Sequence, residues 1–385
     1  MPPPRARGVT VLLVPVVLAL LWSAAMLVVG IAWSLGAPGY PTAPPGFDVQ
    51  TPLELVPAAI GAPIVAIVAG IGVLVAGWLL AGARADARGE AALLSPVVPA
   101  VYAAALTVTA TVAVVDARLM AWVGYVLSLG FPPMPPGTLE QVVAVVGALL
   151  WIAAAASWAR RSRLLRASAS AGAAPRSRVT NGRPVSASAR IATWVAVVIP
   201  LLYAATRLLW AAGIPLGISE ELLREGQESG LWWRGSGLAL VAIGGAALTS
   251  GLVFRWGEVL PRWVPVLGGR SVPVLLAVVP GLAVSLIVFG AGFSFVRIVA
   301  AGDLPLPEHL VTVGPQLLWP IWGVALAVAT VAYHRRRTGR GPADESSSTG
   351  RSAKEQPTPT RRSWHPSMTA RPSVEAEAQL TQQPR

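Results

Sequence analysis

The chain has 385 residues, 54% of them hydrophobic and 12% charged, with a formal net charge of +12 and no cysteine. A soluble domain carries about 25% charged residues, so this deficit, with a mean hydropathy of +0.61, excludes an ordinary soluble fold and points to lipid as the solvent. The absence of cysteine excludes disulfides, thiolate catalysis and cysteine-ligated metals, and the basic residues flank apolar runs instead of forming a nucleic-acid-binding domain.

A bilayer core takes roughly 20 apolar residues per helix. Eight runs meet that length, at 9–35, 57–81, 99–129, 141–159, 191–212, 236–254, 273–299 and 313–333. The first follows Arg5 and Arg7 like a signal peptide, but no charge interrupts residues 8–47. A signal core is only about 7–15 residues long, so a retained helix is expected. The predicted class is an all-α membrane protein. Residues 1–159 form a first four-helix half, 160–190 a basic cytoplasmic loop, 191–337 a second half and 338–385 a disordered cytoplasmic tail.

Connections alternate in charge. The N-terminus, 82–98, 160–190, 255–272 and the tail hold 25 of the 30 Lys and Arg residues, whereas 36–56, 130–140, 213–235 and 300–312 hold only Arg224 and Arg234. Discounting the long tail leaves 15 against 2. The positive-inside rule therefore places both termini in the cytoplasm, in a cytoplasmic (plasma) membrane. The opposite loops carry nine acids, among them Asp48, Glu54, Glu140 and Glu220. The eight arginines of 160–190 suit contact with anionic lipid.

Four helix ends share a pattern: "AWSLGAPGYP", "VLSLGFPPMP", "LLWAAGIPLG" and "RIVAAGDLPLP". Each apolar helix reaches a glycine (Gly36, Gly130, Gly213, Gly302), with proline two or three residues on. Glycine supplies a left-handed turn and proline cannot continue a helix. The chain therefore reads as four tandem hairpins, with chance recurrence in an eight-helix protein as the alternative. Small residues four apart on the return helices (Ala62/Ala66/Gly70, Ala144/Ala148, Ala242/Ala246/Ser250, Gly323/Ala327) predict close helix packing. In the third outer loop, "SEELLRE" at 219–225 has a capping serine and early acids, the signature of a short helix.

Catalytic and metal motifs are missing. His309, His334 and His365 lie outside the predicted spans, and no HExxH, Walker or dinucleotide fingerprint occurs. No cofactor, no metal and no enzyme chemistry are expected. Charges within spans are the default functional candidates: Asp116, Arg118, Arg207 and Arg297. Arg207 and Arg297 lie about 9 and 8 Å before the glycines of their helices, close enough to snorkel. Arg207 thus reads as an anchor or interhelical donor, or, with Tyr203 and Trp210 on its face, as part of a polar pocket. Asp116, about 21 Å before Gly130, cannot snorkel. It shares a seven-residue stripe with Tyr102 and Thr109, whereas Arg118 lies on another with Thr111 and Tyr125. The pattern leaves two readings, a buried structural network or an ion, proton or substrate path.

The stretch "RWGEVLPRWVPVLGGRSVPV" at 255–274 and, more loosely, "TRLLWAAGIPLGI" resemble uncharacterised multi-pass membrane proteins of high-GC actinobacteria. That resemblance implies an integral membrane protein and no particular activity. Asp48 in the first outer loop resembles the acid that polyprenyl-phosphate-sugar glycosyltransferases use there, though the chain lacks their large outer domain. The expected function is structural, partner-binding or transporter-like, with that glycosyltransferase as the alternative. A protein partner or a homo-oligomer are both compatible with the sequence.

Overall fold

The computed structural model describes residues 12–42, 51–87, 95–169, 185–260, 262 and 268–338. Asp48 and residues 339–385 of the predicted tail lie outside them, as do 170–184 of the basic loop. The described chain is helical: α1 Val14–Ser34, α2 Pro52–Leu55, α3 Ala58–Ala87, α4 Val97–Thr109, a π-turn Ala110–Val114, α5 Ala117–Leu127, α6 Thr138–Ala169, α7 Ala187–Ala211, α8 Glu220–Glu228, α9 Leu231–Ser250, α10 Val274–Ala301, α11 Leu306–Leu317 and α12 Trp319–Thr338. Eight segments are long and apolar enough to cross a membrane. The protein is an all-α, eight-span membrane protein.

The spans pair as four hairpins. α1 packs along α3, α4 with its π-turn along α6, α7 along α9, and α10 along α12. In hydrocarbon this association depends on close packing, since lipid tails are as apolar as leucine. Gly30 shows how close. A Cβ added there would lie 2.7 Å from the backbone nitrogen of Ala66, so only glycine lets α1 approach the small stripe of α3. One core is built from α1, α3, α4 and α6 around Trp151 and Trp158. A second is built mainly from α7, α10 and α12 around Trp319, Trp322 and Tyr333. Ala110, Val115, Leu119, Val145, Leu286 and Ile287 join them, at the seam of the π-turn, α5, α6 and α10.

All four outward helix ends close with the same pair of backbone bonds. Ala37, Gly130, Ile214 and Asp303 donate to the carbonyls of Ala32, Tyr125, Leu209 and Ile298. Gly36, Leu129, Gly213 and Gly302 donate to those of Trp33, Val126, Trp210 and Val299. These are Schellman ends, whose penultimate donor sits in the left-handed region. Glycine takes that position in three of them, at φ +89°, +83° and +83°. In the second the sequence expectation is off by one residue: Leu129, not Gly130, adopts φ +62°. A leucine there costs about 1–2 kcal/mol, and its side chain is exposed. Leu129→Gly is therefore expected to stabilise the protein by about 0.5–1 kcal/mol, the steric relief less glycine's extra chain entropy. Chemical denaturation in detergent checks this, and a loss of stability would show that the Leu129 side chain anchors the loop.

The third predicted span, 99–129, is not one helix. After α4 the backbone widens into the π-turn, where Val115 N–H reaches back to the Ala110 carbonyl at 3.0 Å. Val115 and Asp116 are then extended, and Asp116 caps α5. α5 has 11 residues, about 16 Å, too short to cross. It packs on α10, α6 and α9, with Gly124 against Leu238 and Ser128 against Gly237, and so ties the first half to the second. The short helix expected after Ser219 is present as α8, with the Ser219 hydroxyl accepting from Leu222 N–H at 3.1 Å.

On the face with the basic loops, the segment after α9 is pinned to the end of α12. Arg336 donates to Glu258 and to the Leu252 carbonyl, Arg337 to the carbonyls of Glu258 and Val272, and the Tyr333 hydroxyl to that of Gly257. On the same face Arg160 of α6 meets His334 of α12.

Candidate functional site

Asp116 and Arg118 do not point apart. Because the helix breaks at Val115, helical spacing no longer governs them, and Arg118 Nε donates to Asp116 Oδ2 at 2.8 Å. The same guanidinium reaches Glu54 with Nη2, at 2.7 and 2.6 Å to the two carboxylate oxygens. Its Nη1 donates to the Pro136 carbonyl at 3.2 Å. Asp116 Oδ1 accepts from Arg118 N–H at 2.8 Å and from Gln141 Nε2 at 2.9 Å. Gln141 Oε1 in turn accepts from Asp116 N–H at 3.0 Å. The side chains of Arg118, Glu54 and Asp116 are 6%, 2% and 0% exposed. One guanidinium thus clasps the loop before α3, the break before α5 and the loop before α6.

Local sequence positions each member. Thr51-Pro-Leu-Glu54 is a capping box: Glu54 N–H donates to the Thr51 hydroxyl at 3.3 Å, and Thr51 N–H to Glu54 Oε2 at 2.7 Å. Proline at the first helical position leaves no donor wasted. Tyr40 fastens this turn to the end of α1. Its hydroxyl donates to the carbonyls of Leu53 and Val56 at 3.2 and 3.1 Å. Burial raises the phenol's pKa above its usual value, which keeps the donor protonated. Thr138-Leu-Glu-Gln141 has capping-box spacing too, but here Gln141 is committed to Asp116, capping the broken helix across space.

The clasp corrects the depth assigned to Asp116 from the sequence. Its partners precede α3, precede α6, or lie in the first turn of α6. Asp116 therefore sits level with the ends of the spans on the acidic-loop face, not 21 Å below them as an unbroken helix would require. The structure brings together two of the candidate residues, Asp116 and Arg118, and Arg297 of α10 lies within electrostatic range of Asp116 and Glu54. The others lie apart. The Tyr102 hydroxyl donates to the Val68 carbonyl at 2.8 Å, and its ring stands edge-on to Trp151. Thr109 lines an apolar cavity. The Arg207 guanidinium lies between Tyr203 and Trp210, 4.6 and 4.5 Å from the ring centres, an arrangement worth about 0.5–2 kcal/mol.

Beside the clasp, α1, α2, α3, α4 and α6 enclose a half-open cavity of about 440 Å³, lined almost wholly by apolar groups. α2 separates the two: Glu54 turns to Arg118, while Pro52 and Leu53 line the cavity. Among the described residues no group of three or more His, Cys, Asp or Glu could hold a metal ion. Comparison with known proteins finds no matching family model, no matching curated protein and no matching solved structure.

Proposed function

We propose that this is an integral protein of the cytoplasmic membrane, with both termini in the cytoplasm, that acts by binding and holding structure and carries no proton or ion path through Asp116. One observation supports this reading above all. The Asp116 carboxylate is fully buried and engaged at both oxygens, by Arg118 and Gln141. A relay group needs a partner that changes, whereas a carboxylate held by fixed donors orders a fold. The neighbouring cavity also offers an apolar surface, and Asp116 is not among its lining residues.

The test is flux. Purified protein in sealed vesicles is expected to dissipate a proton or sodium gradient no faster than protein-free vesicles. A flux present in the wild type, and lost in an Asp116→Asn variant that still melts cooperatively, would overturn the proposal in favour of a conducting path.

A further inference from the structure

We propose that the 440 Å³ cavity takes one acyl chain of a membrane lipid whose head group carries an ammonium, with that head group at Glu140. This rests on the binding reading above and names its ligand. The cavity extends along α1 from Trp22 to Trp33, 11 residues or about 16 Å. It thus runs from the interior of the bundle up to the acidic-loop face, the shape of a chain slot and not of a compact pocket. Its volume lies in the range of ordinary small-ligand sites. Ile64 and Leu139 line it and are 52% and 59% exposed. Within a membrane-spanning bundle, such an opening meets hydrocarbon, so a lipid tail is the species at hand to fill it.

The upper end selects the head group. Glu140, in the first turn of α6, lines the cavity, and its Oε2 is buried with no hydrogen-bond partner among the described residues. An unsatisfied acceptor at a lipid-facing site is costly. An ammonium supplies both the donor and the opposite charge. The loops of this face favour it further: among 36–56, 130–140, 213–235 and 300–312, nine acids stand against two arginines. A phosphatidylglycerol head group has hydroxyl donors but would bring a net negative charge to that carboxylate.

The experiment uses the full chain in mild detergent, titrated with an ethanolamine phospholipid or with phosphatidylglycerol of the same acyl composition. Lipid adducts are counted by native mass spectrometry, and melting is followed in parallel. The wild type is expected to retain one ethanolamine lipid and to melt higher with it. Ala144→Phe, which fills the slot from α6, is expected to weaken adduct formation about tenfold or more. Glu140→Gln keeps the shape of the side chain but not its charge. It is expected to bind both lipids alike. Adducts that survive Ala144→Phe, or a wild-type preference for phosphatidylglycerol, would overturn the proposal. If Ala144→Phe fails to fold, the head-group preference of the wild type against Glu140→Gln still decides. Loss of this assignment leaves the flux result untouched, whereas gradient dissipation would sink the binding reading whatever the cavity holds.

Discussion

Arg118→Met is expected to destabilise the protein by about 3–5 kcal/mol, the cost of leaving buried charges without their partner. The guanidinium holds two carboxylates at once, Glu54 by Nη2 and Asp116 by Nε, and both are almost completely buried. Methionine matches its bulk but satisfies neither acid, and it frees the Pro136 carbonyl. Lysine should rescue only part of the loss, because a point charge cannot reproduce the forked contact. The informative control is the triple variant Glu54→Gln, Asp116→Asn, Arg118→Met. Removing all three charges together should restore most of the stability, since an uncharged cluster of similar volume avoids the desolvation penalty. Denaturant titration in detergent reads both effects. A single Arg118→Met variant within about 0.5 kcal/mol of wild type, the range of ordinary surface substitutions, would mean that the clasp contributes nothing to the fold.

The hairpins could be read from the sequence because their signals are local. Apolar length marks the spans, and glycine followed by proline marks where each outward helix stops. The one slipped end follows from the same locality: "SLGFPP" offers its glycine one residue late, and the chain puts Leu129 into the left-handed turn. The break at 110–116 has no such marker. "ATVAVVD" contains neither glycine nor proline, and up to Asp116 its residues carry on the largely apolar run of α4. The break is bought by tertiary partners: Gln141 for the freed Asp116 N–H, and α10 packed on the opened turn. Once the helix is taken as continuous, Asp116 is placed too deep and Arg118 on the wrong side. Glu54 and Gln141 then go unnoticed as partners, although the Thr51-x-x-Glu54 capping box was there to be found. Sequence spacing still identified Asp116, Arg118 and Arg297 as charges that had to be explained, because hydrocarbon tolerates few of them.

The remaining large effect concerns orientation, and it is all-or-none. The four turns that follow α1, α5, α7 and α10 share one face by alternation of the spans. The opposite face gathers the ends of α6 and α12, where Arg160 meets His334 and Arg335, Arg336 and Arg337 close the last helix. Basic residues in the connections on that face outnumber those opposite by 15 to 2, the tail set aside. Such a bias fixes which side stays in the cytoplasm during insertion. With no native cysteine, a single introduced thiol reports its own side. Glu221 of α8 and Ser188 of α7 are both exposed, on opposite faces. In intact cells an impermeant maleimide is expected to label Glu221→Cys fully and Ser188→Cys only after the membrane is opened. The Glu221 site leaves the Ser219 cap of α8 intact, so a missing signal there cannot be put down to a lost cap. Labelling of Ser188→Cys alone would invert the topology, and with it the side from which the cavity draws its lipid. Labelling of both in intact cells would mean that the charge bias does not orient this chain.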